Sequence, residues 1–235
     1  VIMPDERIDR LLSTRLLGGV GAAVPLVSSR SDAVVDSLAR SIESGELGSG
    51  DSLSVTAQSH RLDVAAATVR SALIALDAMH LVEHRPNRAS VVVTPTSAWF
   101  VAVAAECSGL SIAAADLGIV AATDAQIESF AVRADEVAAL WAEEGQDQVV
   151  GAEGLWDLLH MLAEFSRNPY LADLHASKRT ALVFGIRSLS RSRNPAMLRS
   201  AVDALVTAAR ERDRHEAVDI VRDLFIFVID GVTEL

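Results

Sequence analysis

The sequence is poor in most features that announce a chemistry. A single cysteine, Cys107, excludes an internal disulfide and any thiolate metal cluster. Set in AVAAECSGLSIAAA, it reads as a small core residue rather than a nucleophile. Aromatic residues make up 4% of the chain, so the core must come from Ala, Val and Leu, which favours a mostly helical protein. There is no Gly-x-Ser-x-Gly, no Gly-rich phosphate loop and no HExxH, so no catalytic residue is assigned and no enzyme is expected. Paired carboxylates such as Asp135-Glu136 and Glu143-Glu144 read as solvated helix faces. The first residues, VIMPDERIDRLL, are charged early and no apolar run reaches membrane-spanning length, which gives the expectation of a cytoplasmic protein with no membrane partner.

Positive charge is also scarce: the net charge is −11. Its distribution is uneven. Residues 27–95 carry six arginines against eight acids, or −2, whereas residues 96–235 carry 12 bases against 21 acids, or −9. A basic footprint for nucleic acid is therefore missing, and phosphate contacts would rest on a few arginines sharing one face: Arg40, Arg61, Arg70, Arg85 and Arg88.

What is present is a compact order of elements between Ser31 and Thr94. In SDAVVDSLARSIESGEL, Val34, Val35, Leu38, Ile42 and Leu47 recur at helical spacing, with Ser31 or Asp32 as the expected N-cap and Gly45 as a stop. Two short helices are read at 55–62 and 66–80, separated by Asp63, Val64 and Ala65. Two β-rich runs flank the turn-forming Arg85-Pro86-Asn87-Arg88. Three helices and a hairpin in this order predict a winged helix-turn-helix, whose second tight helix enters the DNA major groove. Residues 1–26 precede it as an N-terminal arm, and Pro95 with Ser97 marks its boundary with the C-terminal region.

The wording of this stretch resembles the GntR family of bacterial transcription regulators. The resemblance runs through Gly45-Glu46-Leu47, Gly50-Asp51-Ser52-Leu53, Val69-Arg70-Ser71-Ala72-Leu73, Leu76-Asp77 and Leu81-Val82-Glu83 into Asn87-Arg88-Ala89-Ser90-Val91. It implies DNA contacts by Thr56 on the second helix and Arg70 on the recognition helix; Arg61, Thr68 and, in the wing, Arg85, Asn87 and Arg88 are further candidates from residue type and position, with a surface ion pair as the alternative for Arg61 and Arg88. The chain departs from the family where a Ser/Thr-Arg-Thr-Pro run usually opens the recognition helix. Here stand Ala65, Ala66, Ala67 and Thr68, and an alanine methyl can touch a thymine methyl but cannot read guanine as arginine does.

From residue 96 to the end only helical periods appear, over 98–121, 124–144, 151–166, 170–191, 196–210 and 214–233, which predicts an antiparallel bundle of about six helices. The run Leu162-Ala163-Glu164-Phe165-Ser166-Arg167-Asn168-Pro169-Tyr170-Leu171, with Ala208-Ala209-Arg210-Glu211-Arg212-Asp213 later, resembles the FCD effector domain of the FadR subfamily. Many such domains hold a divalent metal through an Asp, a His four residues on, and two later histidines. The resemblance puts those four positions at Leu155, Leu159, Val202 and Leu224, all aliphatic, so no metal or other cofactor is expected and the four are instead candidates for an apolar effector pocket, with a filled core as the alternative. A displaced metal set from Asp157, His160, His175 and His215 is set against Leu155, Leu158, Leu159 and Leu162, which define the buried face and push Asp157 outward. Trp99, Trp141 and Trp156 read first as core, with a pocket wall as the second possibility.

The reading is a ligand-responsive repressor, a homodimer on palindromic double-stranded DNA with an apolar or amphipathic small-molecule effector. The alternative, motivated by Ala65–Ala67 and the −2 charge, is a fold-retaining sensor or interaction protein with weakened DNA recognition.

Overall fold

The structure, a computed structural model, describes residues 30–85, 88–141, 148–189 and 194–233. The expected N-terminal arm over 1–26 lies outside the described residues, as does Asn87. The first helix, α1 (Arg30–Glu43), buries Val34, Leu38 and Ile42 on one face. It starts ahead of the expected caps, so Ser31 and Asp32 sit in its first turn, where the carboxylate of Asp32 suits the positive end of the helix dipole. Gly45, at φ 82°, ends the run: the chain turns back so that the Leu47 N–H reaches the Ser41 carbonyl. Leu47 therefore packs from the turn and not from the helix.

Helix α2 (Val55–Leu62) is capped by the Ser54 hydroxyl, which accepts from the Ala57 N–H, and closes at Asp63 in the left-handed region. Helix α3 (Ala66–Ala78) packs on α1 and α2 through Val69, Ala72, Leu73 and Leu76. The expected hairpin, β2 (Val82–Glu83) and β3 (Ser90–Val92), gains a third strand, β1 (Ser52–Leu53). The antiparallel order is β1-β3-β2, with Ser52 opposite Val91 and Val82 opposite Val92. Two residues give no readable alternation, so β1 had no sequence signature.

The remaining elements are helices: α4 (Ser97–Ala121), α5 (Asp124–Leu140), α6 (Gln148–Phe165), α7 (Pro169–Ser177), α8 (Arg179–Leu189), α9 (Pro195–Glu211) and α10 (Arg214–Thr233). Their ends follow local chemistry. Thr96, one residue before the expected Ser97, caps α4. Thr123 and Gln126 form a capping box on α5. Asn168 and Asn194 cap α7 and α9, each followed by a proline whose missing N–H costs nothing in the first turn. Arg167 and Arg212 adopt positive φ at the turns before α7 and α10. The single helix expected over 170–191 is two, broken at Lys178.

Helix α4 is the axis of the bundle and packs against α6, α7, α8 and α10. Against expectation it is long and apolar enough, by length and composition, to cross a membrane. One face of it packs on these neighbours, burying Phe100, Val103, Ala104, Cys107, Ala114 and Ile119, while Leu117 and Val120 are exposed. The tightest crossing is at Gly118, where an added Cβ would strike the Leu162 carbonyl oxygen on α6. Gly118→Ala should therefore lower the melting temperature, with an overpacking cost of about 1–3 kcal/mol. Gly109→Ala, open to solvent on the same helix, should leave it unchanged or raise it. Equal melting temperatures for the two variants would contradict this packing.

Candidate nucleic-acid interface and effector cavity

The buried residues of α3 leave Ala67, Arg70, Ser71 and Ile74 exposed, one stripe at helical spacing on the side away from α1. Ile74 is 56% exposed, unusual for a large aliphatic side chain and suited to thymine methyls. Arg70 makes no ion pair among the described residues. Thr68, half-buried in the first turn, lies at the edge of the stripe. The N-cap position is Ala65, which supplies no side-chain cap, so the Ala66 and Ala67 N–H groups lack the acceptor a capping side chain would give, while the Thr68 N–H bonds the Ala65 carbonyl. Ser71 and Ile74 were not singled out from sequence, although the 67/70/71/74 spacing was there to be read.

The other candidates are less free. Thr56 is exposed at the start of α2. The Arg61 Nε donates to Gln58 Oε1 at 2.8 Å, and a terminal nitrogen lies 3.5 Å from Glu46. Arg85 holds Glu83 by two bonds, 3.0 and 2.7 Å, and this fork keeps the Glu83 carboxyl below its ordinary range. Arg88 is exposed in the wing turn. Arg40 is elsewhere: it donates to the Asp36 carbonyl and lines a cleft with Ala75 and Met79 of α3 and Asp173 and Thr180 of the bundle. The five arginines therefore do not form one patch, which counts toward the alternative of weakened DNA recognition. His84, half-buried, is tied to the wing itself, through Ser90 Oγ at 3.2 Å and its own N–H to Asp77.

Three of the four positions proposed as pocket-lining meet. Leu155, Leu159 and Leu224 border one apolar cavity with Trp156, Leu182, Ile186, Phe225 and Val228. Val202 does not: it is buried on α9, which packs on α5 and α10, away from the lining. The cavity encloses about 20 Å³, space for a water-sized body, so a larger guest has to part α6 from α8 and α10. With leucine and valine at every position the FCD resemblance assigns to a metal, those residues offer no ligand atom.

Beside the cavity lies a stack that sequence spacing did not reveal. Trp156 and His175 are parallel at 3.9 Å between ring centroids, and His160 follows at 5.4 Å. His175 is wholly buried, and its Nε2 meets the buried Ser111 hydroxyl at 3.1 Å. Burial, with the nearby His160, lowers the His175 pKa to about 3, so the ring is neutral near pH 7. Three buried atoms here have no partner among the described residues: Trp156 Nε1, His160 Nδ1 and His175 Nδ1. Among the described residues no three His, Cys, Asp or Glu side chains gather as a metal would need, Asp157 is held by Arg179 at 3.2 Å, and His215 is exposed at the start of α10. The displaced metal set thus does not converge. Cys107 is inert, its thiol pushed up to about 12 by burial.

A second cluster joins the bundle to the winged layer. Lys178, the only lysine in the chain, is 4% exposed at the break between α7 and α8. Its ammonium donates to the carbonyl of Ala78, the last residue of α3, at 3.2 Å and pairs with Glu106 of α4 at 2.8 Å. Glu106 also meets His80 Nε2 at 2.8 Å. Burial alone would raise the Glu106 pKa, but the bonds from Lys178 and His80 outweigh it and hold the carboxyl below its usual range. One residue on, Arg179 reaches Glu43, the last residue of α1, at 2.8 Å, and Glu153 and Asp157 of α6 at 3.6 and 3.2 Å. Arg187 adds a bond to the Glu43 carbonyl.

The depressed His175 pKa has a signed consequence. The unfolded chain binds a proton near pH 6.5 that the folded chain refuses until about pH 3, so stability is full above 6.5 and falls as pH drops through that window. The melting temperature of His175→Phe should therefore decline less steeply between pH 6.5 and 4 than that of the wild type. Parallel declines would mean that His175 is not held neutral by the fold.

The comparisons with known proteins agree with this geometry. Residues 30–92 match the bacterial regulatory proteins of the gntR family. McbR/YncC of E. coli shares the fold at a TM-score of 0.64 and 16% identity, over 88% of this chain and 98% of that one. A structure named as a GntR transcriptional regulator from Rhodococcus sp. RHA1 does so at 0.64 and 19%, with the same coverages of 88% and 98%. Lar of Listeria monocytogenes, titled as controlling expression of the agr system, follows at 0.53 and 15%, over 87% and 97%. A search of curated proteins returned no match. No enzyme family is indicated. Residues 30–92 are a GntR-family helix-turn-helix domain, and the chain as a whole shares the fold of these structures, a winged helix-turn-helix followed by a helical C-terminal part.

Proposed function

We propose that the chain is a ligand-responsive transcriptional repressor of the FadR type, acting in the cytoplasm as a homodimer on a palindromic operator, with its FCD-like bundle as sensor. The domain division is that of the sequence: an arm at 1–26, the winged domain at 27–95 and the effector and dimerisation domain at 96–235. The observation that carries this reading is the double use of α6 and α8. On one side these helices line the cavity with Leu155, Trp156, Leu159, Leu182 and Ile186. On the other they hold the winged layer: Glu153 and Asp157 position Arg179, and Arg179 and Arg187 hold Glu43 at the end of α1. A guest that parts α6 from α8 must strain these bonds, and this supplies the differential contact that coupling between two sites requires.

Thr68, Arg70, Ser71 and Ile74 serve as base readers, and Thr56, Arg61, Arg85, Asn87 and Arg88 as backbone contacts. Arg61 and Arg85 already hold carboxylates, so binding should lean on shape and few phosphates. The direct experiment is anisotropy binding to the DNA upstream of the protein's own coding sequence, against a scrambled duplex, at several salt concentrations. The proposal expects sequence-dependent binding with a shallow salt dependence, at about 0.9 log units per phosphate contact. Arg70→Ala should weaken it by about 1–3 kcal/mol and relax specificity, whereas Arg85→Ala, freed only from Glu83, should cost less. Equal, weak binding to both duplexes would favour the second reading, a sensor whose recognition helix is emptied by Ala65, Ala66 and Ala67.

A further inference from the structure

Among the described residues of 30–92, Ile74 is the only large apolar side chain that is exposed; the others lie in the bundle. One exposed isoleucine needs no explanation by itself, but this one has a setting. It stands on the outward stripe of α3 in line with the methyl of Ala67, and Arg70 and Ser71 fill the turn between them. The same helix turns Ala75 and Met79 to the cleft beside the bundle, and Ile74 does not border that cleft. Past Ile74, Asp77 is tied to the wing, where it accepts from the His84 N–H at 3.0 Å, so the stripe ends at Ile74.

The chemistry of the stripe narrows what it can read. A helix in the major groove meets hydrogen-bonding atoms on all four bases but only one apolar group, the C5-methyl of thymine. The side chains of Ala67 and Ile74 neither donate nor accept. Laid on the polar edge of a guanine, adenine or cytosine, they would strip water from it and return no hydrogen bond. Laid on a thymine methyl, they take apolar surface out of water on both partners. Arg70, exposed and without an ion pair among the described residues, is the one side chain of the stripe with the fork that guanine accepts. At 1.5 Å per residue, Ala67 and Ile74 are about 10 Å apart along α3, or about two to three base pairs.

We infer that α3 selects its site by two thymine C5-methyl groups, one received by Ala67 and one by Ile74, on either side of a guanine read by Arg70. This rests on the DNA-binding reading above and deepens it by naming the groups on the bases that the helix recognises.

The test takes the duplex that the full chain itself enriches from a random pool and replaces each thymine, one at a time, by deoxyuridine. The replacement removes the methyl and keeps both the pairing and the O4 acceptor. Two positions should respond, each weakening binding about fourfold, the worth of one buried methyl-sized group. The loss should be the same at low and high salt, because no phosphate contact changes. Ile74→Ala, at a site exposed enough to leave the melting temperature unchanged, should remove the response at one position and keep it at the other. Ala67→Gly should do the opposite, and comparing thymine with uridine within that variant cancels any cost to the helix itself. Specific binding that uridine leaves unchanged at every position would overturn the inference and leave the DNA-binding reading standing. So would two uridine losses that persist in both variants, since the methyls would then act through other residues or through DNA shape. Enrichment of no sequence at all would overturn the inference and the DNA-binding reading together.

Discussion

The buried ammonium of Lys178 is the constraint on which the arrangement of the molecule depends. A cation 4% exposed has to be paired and hydrogen-bonded, and here its partners come from two layers: Glu106 from the bundle axis and the Ala78 carbonyl from the end of the recognition helix. The break between α7 and α8 follows from the same demand. A continuous helix through 169–189 would carry Lys178 along one rod, whereas the break lets Lys178 point to α3 and Arg179 to α1 and α6. The strength of the junction lies in its geometry as much as in its energy. Glu106 accepts from both His80 and Lys178, so the end of the recognition helix is held by the bundle at two points, His80 and the Ala78 carbonyl.

That junction sits one turn from the ring stack. His175 and Lys178 are three residues apart, on the last turn of α7 and just beyond it, and His175 is pinned between Trp156 and the Ser111 hydroxyl. A shift of the stack therefore moves the base of the segment that ends in Lys178 and Arg179. The reading head at the far end is electrostatically lean, with Arg40 turned to the cleft and Arg61 and Arg85 bonded to carboxylates of their own layer. Small changes in how α3 is presented then weigh more than they would in a protein gripping many phosphates.

Much of the fold was legible because its signals are local. Gly45, Asn168-Pro169, Asn194-Pro195 and Arg212-Asp213 announce helix ends through backbone chemistry that a few neighbouring residues decide. The winged domain was read from the order of short motifs. What escaped reading depends on long-range contacts. Lys178 and Ala78 are 100 residues apart, and no glycine or proline marks the α7–α8 break. Strand β1 exists only because β3 lies beside it. The contacts of α4 with four other helices account for only one face of its apolar length. Val202 fell outside the cavity because a family register fixes position along a helix but not the neighbours it meets. The histidines were weighed only as a displaced metal set; the fold shows His160 and His175 sharing a stack with Trp156.

The claim that the bundle holds the recognition helix through Lys178 can be tested by amide hydrogen exchange on Lys178→Met, a substitution that keeps an apolar stem and removes the ammonium. The Met79, His80 and Leu81 N–H groups close the end of α3 through bonds to Ala75, Asp77 and Leu76. The account predicts faster exchange at these three amides, with those of α9, which takes no part in the junction, unchanged. Unaltered exchange at the end of α3 would contradict it, and would mean that the winged layer holds its recognition helix without help from the bundle.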